Sequence, residues 1–206
     1  GIVGQVLGIP LEALNSTIFS HFSSKPAVAE SNFSMVKTGY DYAADHLEKK
    51  DRFYVKGLTP LSDYILTDGN NAGGLGSLFG GLEFCSWYPI TPATSLVEAM
   101  IDQVDQLRLD PVTGKKTCVI LQVEDELAAM GAAVGAGWGG LRSMTATSGP
   151  GISLMTENIG LAYFTETPVV IWDVQRVGPS TGLPTRTAQG DLSMLYYLGH
   201  GDTSHV

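Results

Sequence analysis

The sequence predicts an α/β protein: a parallel sheet with helices on both faces, preceded by a short, mostly helical segment. Three observations predict it. Apolar strand-length runs alternate with amphipathic or small-residue helical stretches from about residue 84 onward, the signature of βαβ units. Two of those runs, "KKTCVILQV" and "TPVVIWDV", show almost no polar alternation, as strands buried on both faces do. The residues that end the strands are chemically unusual, and parallel sheets bind ligands at their carboxyl ends.

Taken in order, residues 1–45 read as helices. Leu11, Leu14 and Ile18 fall on one helical period, and Phe33, Val36, Tyr40 and Ala43 on another. Residues 46–67 are charged and then turn-like, a linker. In "NNAGGLGSLFGG" the glycines are spaced GxGxxxG rather than GxGxxG, and no Lys follows to make a phosphate loop. Close helix packing or a turn is therefore the expectation. Strands are expected near 84–89, 117–123, 144–147 and 168–174. Between them lie a helix with Val97, Met100, Ile101, Val104 and Leu107 on one stripe, a helix of small residues after "EDE", and a helix beginning "GPGISLM". The chain starts on Gly1 and ends on "GHGDTSHV", and both ends read as cut from something larger.

Composition narrows the function. The chain has 206 residues, 44% hydrophobic, with 25 glycines, enough for one sizeable core. A net charge of −9 argues against nucleic acid as a partner. No signal peptide or membrane-length apolar run is present. Cys85 and Cys118 sit in apolar runs, where they read as small buried hydrophobes, and their spacing offers no zinc or iron–sulfur site. A reducing, cytoplasmic compartment is the expectation.

Four strand ends carry the candidate chemistry: Pro89–Ile90–Thr91, Glu124–Asp125–Glu126, Ser148–Gly149–Pro150–Gly151 and the residues from Asp173 to Arg176. Pro92 suits a first helical position, which makes Thr91 the N-cap. That leaves the hydroxyls of Thr94 and Ser95 unexplained, and a helix start rich in hydroxyls and free N–H groups suits a carboxylate or phosphate. The three consecutive carboxylates gain from a helix N-terminus whatever else they do. A Glu at such a strand–helix junction can also hydrogen-bond a cofactor ring nitrogen. From residue 117 onward the basic residues are Arg142, Arg176 and Arg186. Arg176 directly follows a buried strand, and a guanidinium grips a carboxylate with two prongs. Arg186 lies in a Thr-rich loop and reads equally well as a surface residue.

"YPITP", "EDE", "TATSGPG", "LMTE" and "QRVGPSTGLPT", in that order, resemble the alpha subunit of the 2-oxoacid:ferredoxin oxidoreductases, in its 2-oxoglutarate or broad 2-oxoacid form. The resemblance covers about residues 68–206 and corresponds to the pyrimidine-binding domain of thiamine diphosphate enzymes, truncated at its C-terminus. Residues 1–45, with "TGYDYA", resemble the end of the gamma-type domain that precedes it in fused members, and 46–67 would be the tether. The resemblance implies that a Glu contacts the aminopyrimidine of thiamine diphosphate. Glu126 matches best, with Glu124 second. Thr91 and Arg176 would hold the 2-oxoacid carboxylate. Pro89, Ile90 and Thr147–Ser148–Gly149–Pro150–Gly151 would line the cofactor pocket. It further implies oxidative decarboxylation of a 2-oxoacid, with coenzyme A taking the acyl group and ferredoxin the electrons. A beta subunit would bring Mg2+ and a [4Fe-4S] cluster, and the heterodimer would self-associate. The fragment alone should be inactive. Another thiamine enzyme would share the Glu and the glycine turn without "YPITP" and "QRVGPSTG". A non-catalytic nucleotide-binding or scaffolding module would scatter Thr91, Glu126 and Arg176.

Overall fold

The computed structural model describes residues 1–58, 63–182 and 185–200, and the chain divides into two units, Gly1–Ile65 and Leu66–Val206. The first unit is three helices, α1 (Ile2–Val6), α2 (Leu11–His21) and α3 (Pro26–His46). Pro26 starts α3, where a missing N–H costs nothing. The expected faces turn inward: Leu11, Leu14 and Ile18 on α2 are partly covered, as are Phe33, Val36 and Tyr40 on α3, and Ala43 is fully buried. The Tyr40 hydroxyl donates to the Ile9 carbonyl at 3.1 Å. The Val55 N–H donates to the Leu7 carbonyl at 2.8 Å, so part of the stretch read as a linker lies against this unit.

The second unit runs α4 (Gly69–Phe79), β1 (Phe84–Trp87), α5 (Thr94–Leu107), β2 (Val119–Gln122), α6 (Glu126–Trp138), β3 (Ser143–Thr147), α7 (Gly149–Phe164), β4 (Val170–Asp173) and α8 (Leu192–Tyr196). The four strands among its described residues lie in the order β2-β1-β3-β4, and their pairings are parallel. The chain leaves β1 in one direction to reach β2 and leaves β3 in the other to reach β4. The switch point therefore lies between the carboxyl ends of β1 and β3, where an open α/β sheet forms its ligand crevice.

The period-2 geometry of strands gives the two sheet faces different chemistry. Cys85, Trp87, Met144 and Ala146 point to one side and pack with Leu78 of α4 and Leu96, Val97 and Met100 of α5. Ser86, Ser143, Thr145 and Thr147, on the alternate positions, are buried too. On that side the Ser86 hydroxyl donates to the Ala129 carbonyl of α6 at 2.5 Å. Beyond it, α6 and α7 make a second core from Met130, Val134, Met155 and Ile159. The glycine-rich run is helix α4, and its glycines serve packing: a Cβ on Gly74 would sit 2.8 Å from the Leu96 carbonyl oxygen. Both cysteines are free and buried, and burial, reinforced by Cys118, pushes the Cys85 thiol up to about 12. Among the described residues no helix is long and apolar enough to cross a membrane.

One expectation is overturned. The two unalternated runs are not buried on both faces; β2 and β4 are the sheet edges. Val119 is 53% exposed and Val170 57%, whereas every residue of β3 is buried. An edge strand has one strand neighbour instead of two, and the helices here cover the central pair.

Candidate functional site

The exit of β1 differs from the expected cap. Helix α5 begins at Thr94, with Ala93 before it and no side-chain cap. Residues 91–93 form an intervening turn, and the Thr94 N–H bonds the Ile90 carbonyl at 3.1 Å. Thr91 is thus not the N-cap, and Pro92 not the first helical residue: the turn places both upstream of the helix. Ser95 is accounted for by packing, since its hydroxyl accepts from the Asn70 side-chain amide of α4 at 2.7 Å. Pro89 is exposed and Ile90 partly buried. The Thr91 backbone is anchored here: its carbonyl accepts from the Ser148 hydroxyl at 3.3 Å and from Arg176 Nη1 at 3.1 Å.

At the exit of β2 the three carboxylates separate. Asp125 adopts φ 72 and caps α6, accepting the Ala128 N–H at 3.1 Å, the ordinary reward of a carboxylate at that position. Glu124 is exposed. The Tyr88 phenol faces it, raised above its usual range first by the Glu124 charge. Glu126, the first residue of α6, is only 7% exposed.

The exit of β3 brings backbone up to Glu126. Ser148 precedes α7 in an extended conformation, and Gly149, Pro150 and Gly151 make its first turn. A Cβ on Gly151 would collide with Thr147 Oγ1 and lie 2.9 Å from Glu126 Cγ and 3.2 Å from Oε1. Glu126, Thr147 and Gly151 therefore share one close contact that only glycine permits. The Thr147 hydroxyl is buried there without a hydrogen-bond partner.

The exit of β4 supplies the cation. Arg176 is 5% exposed. Its Nη1 is spent on the Thr91 carbonyl, and its Nε is buried with no partner. Arg186 is exposed, and its carbonyl accepts the Val177 N–H at 3.1 Å. Arg142 precedes β3 at the amino end of the sheet, bonded to the Gly80 carbonyl at 3.0 Å. Of the three arginines of this half, Arg176 is the one at the strand ends and out of solvent. Thr91, Ser148 and Arg176 meet directly, and Thr147, next to Ser148, carries the contact on to Glu126.

One residue here, Asp191, escaped the reading of the sequence, and another, Asp173, lay in a strand end it singled out but was given no role. Asp191 is 5% exposed and accepts the Arg176 N–H on Oδ2 at 3.2 Å. Asp173, the last residue of β4, has both carboxylate oxygens buried without a donor. Burial, then the neighbouring Asp191 carboxylate, push its carboxyl up to about 7. The legible signal was a carboxylate closing a strand and a second one in "GDL" just before a short apolar stretch.

The sequence and the fold both have relatives. Residues 76–204 match the family model described as pyruvate flavodoxin/ferredoxin oxidoreductase, thiamine diP-bdg. The chain is 41% identical over 206 residues to 2-oxoacid:ferredoxin oxidoreductase 1, subunit alpha, of Sulfurisphaera tokodaii, with 98% of this chain and 31% of that protein covered. It is 49% identical over 134 residues to 2-oxoglutarate synthase subunit KorA of Methanocaldococcus jannaschii, with 65% of this chain and 34% of the relative covered. A solved 2-oxoglutarate:ferredoxin oxidoreductase from Magnetococcus marinus, with 2-oxoglutarate, coenzyme A and succinyl-CoA bound, superposes with a TM-score of 0.77. It shares 39% identity over 98% of this chain and 34% of that one. The chain thus spans about a third of the length of these relatives. A parallel sheet whose carboxyl ends gather a buried Glu, a glycine turn and a buried Arg, together with these matches, settles the family: the chain belongs to the thiamine diphosphate-binding pyruvate flavodoxin/ferredoxin oxidoreductases.

Proposed function

We propose that this chain is part of the alpha subunit of a thiamine diphosphate-dependent 2-oxoacid:ferredoxin oxidoreductase of the 2-oxoglutarate branch. The reaction is the conversion of a 2-oxoacid and coenzyme A to acyl-CoA and CO2, with two electrons passed to ferredoxin. The observation that carries this reading is the convergence of Glu126, Thr147, Ser148, Thr91 and Arg176 at the carboxyl ends of the strands. A scaffolding module has no reason to bury an Arg and a Glu there.

The residues fit the pyrimidine end of thiamine diphosphate. Glu126 is buried, the Thr147 hydroxyl beside it lacks a partner, and Gly151, having no Cβ, lets the glycine turn close on both. When bound, the cofactor would supply the carbon nucleophile and the electron sink for loss of CO2. Glu126 would hydrogen-bond a ring nitrogen of the pyrimidine from its buried place at the start of α6. Arg176 and the Thr91 hydroxyl hold the 2-oxoacid carboxylate, the guanidinium having donors beyond the one spent on the Thr91 carbonyl. Fixing a short substrate by its carboxylate sets the distance of its keto carbon from the cofactor, which lowers the entropic part of the barrier. Pro89, Ile90 and the turn from Thr147 to Gly151 line the cofactor pocket.

The rest of the assembly follows from the same reading. A beta subunit carries the diphosphate, Mg2+ and a [4Fe-4S] cluster, and the heterodimer associates with itself in the cytoplasm. Residues 1–45 close a gamma-type domain, 46–67 tether it, and 68–206 belong to a pyrimidine-binding domain. The test is 2-oxoglutarate kinetics of the full complex at matched thiamine diphosphate occupancy. A charge-assisted contact is worth about 1.5–3 kcal/mol, so Arg176→Ala should lower kcat/KM roughly tenfold to a hundredfold, with Arg186→Ala costing far less. A collapse in Arg186→Ala alone means that the wrong arginine has been assigned. Absence of any 2-oxoacid turnover in the wild-type complex sinks the reading itself.

A further inference from the structure

Arg176 does not hold its own position. The pairing of β3 with β4 extends one step past the strands, with the Val174 N–H on the Thr147 carbonyl at 2.9 Å. Beyond it the chain is irregular, bridged at Arg176 to Thr187 on an exposed segment. The buried restraint on the Arg176 backbone is Asp191, fifteen residues downstream, which accepts its N–H. The same carboxylate rests on the first turn of α7: a Cβ on Gly149 would collide with Asp191 Oδ1 and sit 2.6 Å from its Cγ. The Asp191 backbone carbonyl in turn accepts the Leu195 N–H of α8 at 2.8 Å. Asp191 thus joins the exit of β4 and the start of α7 through its carboxylate, and the start of α8 through its backbone.

A carboxylate is removed from water at a cost that donors must offset. Here the donors are the Arg176 N–H and the positive end of α7. Asp173 completes the set. Two acceptor-only carboxylates side by side cannot bond each other, which leaves both Asp173 oxygens without a donor. One proton on Asp173 resolves this, and burial beside Asp191 raises its carboxyl to about 7, well above the ordinary carboxylate range.

We propose that Asp191 is the positioning residue of the substrate arginine: its carboxylate, seated over Gly149, fixes the Arg176 backbone against the start of α7 so that the guanidinium reaches the Thr91 carbonyl and the substrate carboxylate beside it. The proposal rests on the functional reading above, yet its structural half can be measured without turnover.

The experiment uses the full-length chain assembled with its beta subunit and follows amide hydrogen exchange at Arg176 alongside 2-oxoglutarate kinetics. D191A should speed exchange at Arg176 by about tenfold or more and raise KM about tenfold, with kcat changed less than about threefold and thiamine diphosphate affinity kept. D191N retains an acceptor of the same shape and should restore both readouts to within about threefold of wild type. G149A displaces the carboxylate and should reproduce the faster Arg176 exchange of D191A, and exchange in D191A/G149A should be no faster than in G149A alone. Normal Arg176 exchange with unchanged KM in D191A overturns the proposal. So does additive damage in the double variant, or a loss of cofactor affinity and global stability without a KM effect. A wild-type complex without 2-oxoacid turnover, in which D191A still accelerates Arg176 exchange, defeats the functional reading and leaves the positioning intact.

Discussion

Glu124 and Glu126 are two residues apart and live in different worlds. The first is exposed beside Tyr88; the second is 7% exposed against Gly151 and Thr147. Adjacent residues at a helix start face different ways, so one turn of backbone sorts the acids into a solvent partner, a cap and a buried group. Gly151 is the hinge of that arrangement. Gly151→Ala forces its Cβ into Thr147 Oγ1 and should destabilise by about 1–3 kcal/mol in chemical denaturation. Thr147→Ala in the same chain should recover part of the loss, because it removes the colliding atom. Asp173 carries a pH signature. Its folded pKa, about 7, lies above the ordinary carboxylate value. Below that ordinary value both states are protonated and nothing is lost. As pH rises from there through 7, the unfolded chain releases a proton that the folded chain keeps, and stability falls. Thermal melts should therefore show Tm dropping from about pH 5 to pH 8, and Asp173→Asn should flatten that slope. A slope unchanged in Asp173→Asn assigns it to another group.

At the scale of elements, α4 offers a comparison within one helix. Gly74 faces the Leu96 carbonyl and Met100 of α5 with no room for a Cβ, whereas Gly76 meets nothing within 4 Å. Gly74→Ala should cost about 1–3 kcal/mol by overpacking. Gly76→Ala should add about 0.5–1 kcal/mol by stiffening the unfolded chain and improving helix propensity. Equal effects at the two positions would contradict the packing described. The helices were legible because their apolar periods were: Val97, Met100 and Val104 on α5 are buried as their spacing demands, although Ile101 and Leu107 of the same stripe are 46% and 38% exposed. The start of α5 was not legible. Pro92 suits a first helical position in any local reading, and only the tertiary structure shows that a turn intervenes before Thr94. The order of the strands was hidden for a similar reason. An apolar run reads the same whether one sheet neighbour or two will flank it, so β2 and β4 read as central strands and lie at the edges. Asp191 was invisible because its partner is fifteen residues away and no periodicity connects a loop carboxylate to a strand exit.

At the scale of the whole molecule, the sheet order explains why the candidate residues meet. β1 and β3 are neighbours, and the chain leaves them in opposite directions, so their exits flank a crevice with the exits of β2 and β4 on either side. Thr91, Glu126, Ser148 and Arg176 come from four separate strand exits and depend on that order for their proximity. The proposed activity needs more than these residues. This chain by itself should give no 2-oxoglutarate-dependent reduction of ferredoxin, and activity should appear only with the full alpha chain and its beta subunit. The central claim is that Glu126 is the carboxylate that serves the cofactor. Its most direct test is the rate of C2–H exchange of bound thiamine diphosphate in the assembled complex, compared between Glu126→Gln and Glu124→Gln at equal cofactor occupancy. The account predicts that exchange falls by at least about a hundredfold in Glu126→Gln, a general acid–base contribution, and stays near wild type in Glu124→Gln. Near-normal exchange in Glu126→Gln, with exchange lost in Glu124→Gln, would contradict it.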